Sequence, residues 1–122
     1  MNKTILIVED DLMLSEALSF SLKEENFTVF EARDGEEGLS LARKITPDLI
    51  LCDINMPKMD GLTMLSKIRA TKWGANLLVV MLTNYSDNQK ISQALGHSVF
   101  DYLVKSDWDL AQIVAEIKKK LQ

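Results

Sequence analysis

The chain has little of the residues that staple, kink or ligate. One cysteine (Cys52), one histidine (His97) and two prolines (Pro47, Pro57) are spread over 122 residues. A lone cysteine forbids an internal disulfide and suits a reducing compartment, and Cys52 with His97 supplies no credible zinc set. No apolar run approaches the ~18 residues of a membrane span. Met1-Asn2-Lys3-Thr4 leads straight into an apolar strand pattern without a signal-peptide h-region, so a cytoplasmic protein with no membrane partner is expected. A basic excess is missing as well: the formal net charge is -4, which argues against direct nucleic acid binding through the overall field, since such binding neutralises phosphates with Lys and Arg. The one basic cluster, Lys118-Lys119-Lys120, closes a predicted helix, where cations complement the negative end of the macrodipole. Internal repeats, low-complexity stretches and linkers are absent too. With 47% apolar and 26% charged residues, an ordinary globular composition, residues 1–122 read as one domain.

What is present is a recurrence. Four short apolar runs each stop at a residue able to handle a phosphoryl group: ILIV before Glu9-Asp10-Asp11, LILC before Asp53, LVVML before Thr83, and YLV before Lys105. Runs this short and this apolar suit central strands buried on both faces. Helical spacing fills the intervals. Leu14, Ala17, Leu18 and Leu22 follow a plausible N-cap at Asp11, and Asn26 stops them. Phe27 to Glu31 reads as a second strand, Asp34-Gly35 as punctuation, and Glu37, Leu39, Leu41, Ala42 and Ile45 as a second helix ended by Pro47. Asp48 to Asp53 is a third strand, and the turn residues Pro57, Asp60 and Gly61 delay the helix bearing Leu62, Leu65 and Ile68. Leu77 to Leu82 is a fourth strand, and a fourth helix opens at Asp87 and runs through Ile91, Ala94 and Leu95 to a Gly96 cap. Phe100 to Val104 is a fifth strand, and a last helix runs from Asp109 to Leu121.

Strands alternating with helices predict an α/β fold: a doubly wound, five-stranded parallel sheet with five helices. The order 2-1-3-4-5 suits five units and sets the first and third strands side by side. Ligands bind at the carboxyl ends of such strands. Glu9, Asp10 and Asp53 then become neighbours whose mutual repulsion raises their pKa values, a conflict that a divalent cation resolves. Oxygen ligands with one or two direct carboxylates and a carbonyl favour Mg²⁺.

The residues Val8-Glu9-Asp10-Asp11, Asp53-Ile54-Asn55-Met56-Pro57 running to Met59-Asp60-Gly61, Thr83, and Tyr102-Leu103-Val104-Lys105 resemble those of a two-component response-regulator receiver domain, with a chemotaxis-regulator-like, flavodoxin-like fold. The resemblance covers nearly the whole chain and rests on five features in order. It implies that Asp53 accepts a phosphoryl group from the phosphohistidine of a sensor histidine kinase or a histidine phosphotransfer protein. Asp10 and Asp53 would ligate Mg²⁺ through side chains and Asn55 through its main-chain carbonyl, while Glu9 acts through water or positions the ion. Lys105 would pair with phosphoryl oxygens and Thr83 would sense them through its hydroxyl, with Tyr102 turning inward as Thr83 moves. The readout would pass through the surface of the fourth helix, fifth strand and last helix to a downstream protein. Such a phosphoacceptor is no enzyme beyond slow self-catalysed phosphorylation and dephosphorylation.

Two positions depart from the family pattern. Ser106 follows Lys105 where proline is usual, which predicts a trans peptide and a rearranged loop up to Trp108. Asn84 follows Thr83 where a small residue is usual, narrowing access to Asp53 or contacting a phosphoryl oxygen. Two other readings compete: a receiver-like scaffold that binds partners without phosphorylation, and an aspartyl-nucleophile phosphatase, disfavoured because Asn55 stands where that chemistry needs a second acid. Several residues carry plainer readings. Asp11 is a helix cap, Cys52 a packed strand residue, His97 solvent-exposed, and Trp73 and Trp108 helix-end packing or partner contacts.

Overall fold

Alternation within the apolar runs decides which face of the sheet each side chain covers. A computed structural model describes residues 2–83 and 101–122. Five parallel strands, β1 (Thr4–Val8), β2 (Thr28–Ala32), β3 (Leu49–Asp53), β4 (Leu78–Thr83) and β5 (Asp101–Val104), lie in the order β2-β1-β3-β4-β5. Leu6, Val8, Ile50, Cys52, Val79 and Met81 point to one face and join one buried cluster. Ile5, Ile7, Leu49, Leu51, Val80, Leu82 and Leu103 point to the other and join a second, as the two-residue period of a pleated strand requires. β1 and β3 are apolar at nearly every position because both faces are covered, whereas the edge strand β2 leaves Thr28, Phe30 and Glu31 exposed.

Helices α2 (Gly35–Ile45) and α3 (Gly61–Arg69) cover the first face with Ala42, Met64, Leu65 and Ile68. Helices α1 (Leu12–Glu24) and α4 (Leu110–Lys120) cover the second with Leu18, Leu22, Ile113, Val114 and Ile117. Each begins at an aspartate whose side chain accepts backbone N–H groups of the first turn: Asp11, Asp34, Asp60 and Asp109. Asp109 forms a full capping box with Gln112. Trp73 and Trp108 pack against the first and second clusters respectively. The fold class is as expected, with four α-helices among the described residues. The helix expected from Asp87 to Gly96, with Asn84, His97 and Phe100, lies outside the described residues.

Strand β1 has the expected bounds, and three other strands start one residue later than the sequence pattern predicts. Strand β2 starts at Thr28, since the Phe27 N–H donates to Leu22 O at 3.2 Å and completes the end of α1, after Asn26 turns left-handed (φ 70). Strand β3 starts at Leu49, and Asp48 before it already bonds to the first residue of β1: its N–H donates to Thr4 O at 2.8 Å and its Oδ2 accepts the Thr4 N–H at 2.7 Å. Strand β4 starts at Leu78, the Leu77 N–H reaching back to Gly74 O at 3.4 Å. No cis peptide occurs among the described residues, and Lys105–Asp107 form a single 3-10 turn before Trp108.

Candidate functional site

The parallel ladder brings the four strand ends to one edge. Val8 is in register with Cys52, Asp53 with Leu82, and Thr83 with Val104, so residues just beyond β1, at the ends of β3 and β4, and just beyond β5 converge. Glu9 (1% exposed), Asp53 (5%) and Thr83 (0%) are buried there, and Asp10 is exposed at the rim. One oxygen from each of Glu9, Asp10 and Asp53 lies within 4.8 Å of the others. Lys105 enters from β5, its Nζ 3.1 Å from Asp53 Oδ2 and 3.3 Å from Glu9 Oε1. The expected set of Glu9, Asp10, Asp53, Thr83 and Lys105 is therefore assembled at one edge.

The two buried carboxylates differ in how they are held. Glu9 Oε2 accepts the Asp11 N–H at 3.1 Å, which ties the acid to the start of α1. Among the described residues its Oε1 has the ion pair with Lys105 and no hydrogen bond. Asp53 Oδ2 accepts a hydrogen bond from Lys105, whereas Asp53 Oδ1 is buried with no hydrogen-bond partner among the described residues. An unpaired buried carboxylate oxygen is costly, and a site built entirely of oxygen donors around it fits a hard cation and an incoming electrophile.

Burial pushes the Glu9 carboxyl up to about 7, with the charge of Asp53 adding to the rise and the Asp11 N–H and Lys105 opposing it. Sequence reasoning assigned such a rise to mutual repulsion, but removal from water is the larger cause. Burial works against the Lys105 ammonium, yet the attraction of Asp53 and Glu9 outweighs it and its pKa is raised. Cys52 is wholly buried, its Sγ donating to Asp53 O at 3.0 Å, and burial first and then Asp53, Glu9 and Asp60 push its thiol well above the ordinary range. That environment suits a packed strand residue and disfavours a thiolate.

Other expected residues take separate places. Asp11 caps α1 through Met13 and Leu14 N–H groups. Asn55 is exposed in the loop after Asp53. Tyr102 is 44% exposed on β5, so it does not face inward in this structure. Asp34 and Gly35 read only as punctuation in the sequence, yet they contact the loop that carries Asn55: Gly35 N–H donates to Met59 O at 3.1 Å, and Asp34 pairs with Lys58 at 3.7 Å. The Asp-Gly pair marked the turn, but a contact across twenty-odd residues leaves no local pattern.

Comparison with known proteins gives a consistent outcome. Residues 5–118 match the family described as the response regulator receiver domain. The chain is 34% identical over 118 residues, 97% of its length and 48% of the relative, to the DNA-binding dual master transcriptional regulator RpaA of a Synechocystis species. It is 40% identical over 103 residues, 83% of the chain and 44% of the relative, to the probable C4-dicarboxylate response regulator DctR of Halalkalibacterium halodurans. The chain thus spans about half the length of these curated relatives. Among solved structures, the response regulator receiver domain protein (CheY-like) of Methanospirillum hungatei superposes with a TM-score of 0.89 at 27% identity, covering 99% of this chain and 94% of that one.

Proposed function

The chain belongs to the response-regulator receiver-domain family, a family of phosphoacceptor switches, and on that premise we propose that Asp53 is the residue that becomes phosphorylated. The observation that carries this reading is Asp53 Oδ1: a buried carboxylate oxygen with no hydrogen-bond partner among the described residues, at the open edge of the sheet, beside a lysine already poised on the other oxygen. Oδ1 attacks the phosphorus of a phosphohistidine on a sensor histidine kinase or histidine phosphotransfer protein. The new O–P bond forms as the P–N bond breaks, and the electron pair of that bond leaves with the imidazole nitrogen, giving an acyl phosphate.

The oxygen donors of Glu9, Asp10 and Asp53, with the Asn55 carbonyl, suit Mg²⁺. When bound, it supplies positive charge against the phosphoryl oxygens. The chain's own residues do the rest. Lys105 shares its ammonium between Asp53 and the arriving oxyanion, compensating charge as it develops. Glu9, anchored by the Asp11 N–H, keeps the lysine and the cation site in one place. The Thr83 hydroxyl offers a hydrogen bond to a phosphoryl oxygen only once one is present. Tyr102, on the adjacent strand β5, then exchanges its exposed position for an inward one, which alters the surface of β5, α4 and the preceding predicted helix.

On this reading residues 1–122 act as one receiver domain in the cytoplasm, and its output is a protein contact. The net charge of -4 supports a protein target over direct nucleic acid binding by this domain. No helix among the described residues is long and apolar enough to cross a membrane. Catalysis is confined to slow self-phosphorylation and dephosphorylation. Acetyl phosphate with Mg²⁺ tests the proposal by intact mass, expected to rise by one phosphoryl group in the parent and not in Asp53→Asn, and BeF₃⁻ with Mg²⁺ tests it by a spectral change. An unmodified parent with unchanged spectra would leave the phosphorylation-independent scaffold as the reading.

A further inference from the structure

The loop of residues 54–60, between Asp53 and α3, is held in a strained conformation from outside itself. Met59 N–H donates to Pro57 O at 2.7 Å across Lys58, whose φ of 68 lies in the left-handed region. A three-residue turn of this kind around a residue with a side chain is rare and persists only where its surroundings impose it. Gly61 N–H donates to Ile54 O at 2.8 Å and closes the base, while Ile54 is buried and Met56 and Met59 lean on the core. The other restraint is α2. Gly35 N–H donates to Met59 O at 3.1 Å, and a Cβ at Gly35 would stand 2.3 Å from that oxygen. No side chain fits there unless the backbone of the loop moves away. Next to it, Asp34 Oδ1 accepts the Glu37 N–H at 2.9 Å, and its Oδ2 faces Lys58.

We propose that Asp34 and Gly35 are positioning residues: through Met59 and Lys58, the start of α2 holds loop 54–60, and with it the Asn55 carbonyl, in the arrangement that binds the cation. The inference rests on the reading of Glu9, Asp10, Asp53 and Asn55 as a Mg²⁺ site. Neither Asp34 nor Gly35 reaches the acidic cluster; they act by limiting where the loop can go. Outer partners of this sort commonly change metal affinity by ten- to a hundredfold.

Calorimetric titration of the full chain with Mg²⁺, together with hydrogen exchange of the metal-free protein, tests this. Gly35→Ala is expected to raise the half-saturating Mg²⁺ concentration about tenfold and to accelerate exchange across residues 54–60. The rate of phosphorylation by acetyl phosphate should recover at saturating Mg²⁺. Ala42→Gly weakens α2 away from its start, so it should lower the melting temperature and leave both readouts unchanged. Where Gly35→Ala does not fold, Asp34→Ala, which loses the cap and the Lys58 pair, is expected to weaken Mg²⁺ binding in the same direction. A parent that binds Mg²⁺ and a folded variant that binds it equally well overturn the positioning role alone. A parent that binds no Mg²⁺ overturns the metal reading and this inference with it.

Discussion

The ammonium of Lys105 stands 3.1 Å from Asp53 Oδ2, so the residue at the end of the last strand neutralises the residue at the end of the central one. The same nitrogen is 3.3 Å from Glu9 Oε1. One cation thus balances two buried acids, and the third carboxylate, Asp10, stands outside that pairing at the solvent edge. Several consequences are measurable.

Removing the cation leaves two buried carboxylates facing each other. Lys105→Met should destabilise the metal-free protein at pH 7 by about 2 kcal/mol, because breaking a buried ion pair strands its partners. Denaturant titration with and without Mg²⁺ reads this, and Mg²⁺ should restore most of the loss by supplying the missing positive charge. A variant as stable as the parent in EDTA would contradict the pairing.

The Glu9 carboxyl, raised to about 7 in the folded protein from 4.5, sets a pH dependence of definite sign. Between those values the native state holds more protons than the unfolded state, so this group's contribution to stability is present at low pH and lost as pH rises through the window. Its size is about 3 kcal/mol at most. Denaturant midpoints from pH 4.5 to 8 in EDTA, compared with Glu9→Gln, should diverge in that direction. Mg²⁺ should flatten the difference, since the ion favours the ionised acid. A parent that gains stability over Glu9→Gln as pH rises would refute the shift.

Asp53→Asn removes both the proposed phosphoacceptor and a negative charge beside Glu9. The variant should show no mass gain with acetyl phosphate, a smaller stabilisation by Mg²⁺, and a lower Glu9 pKa. It should also be at least as stable as the parent in EDTA at pH 7, because a repulsive neighbour is gone. Carboxyl chemical shifts of Glu9 followed by NMR titration check the pKa directly.

Cys52 should be inert to thiol reagents in the folded protein. It is buried in β3 and its thiol is pushed well above the ordinary range, so thiolate is scarce and access requires unfolding. Labelling with a disulfide reagent should follow the denaturant midpoint; fast labelling under native conditions would show that the strand opens locally.

The strands, the caps and the strand-end residues were legible because their signals are local. A run such as Ile5-Leu6-Ile7-Val8 announces burial on both faces, and an aspartate before a helical period announces an N-cap, as at Asp11. Strands β2 and β4 start one residue after the expected Phe27 and Leu77 because those backbone N–H groups turn back to Leu22 O and Gly74 O. Apolar or strand-like character cannot reveal that. Trp73 and Trp108, for which the sequence leaves helix-end packing or partner contacts open, each pack partly buried against a core cluster.

By itself the sequence determined the element order, the parallel sheet, and which polar residues end its strands, because side-chain period and turn chemistry act over a few residues. Tertiary structure alone decided how those ends are joined. It settled that Lys105 serves both Glu9 and Asp53, that burial outranks repulsion at Glu9, and that Gly35 meets Met59. Each depends on desolvation or close approach between segments far apart in the chain, and such terms exist only once the sheet has brought them together.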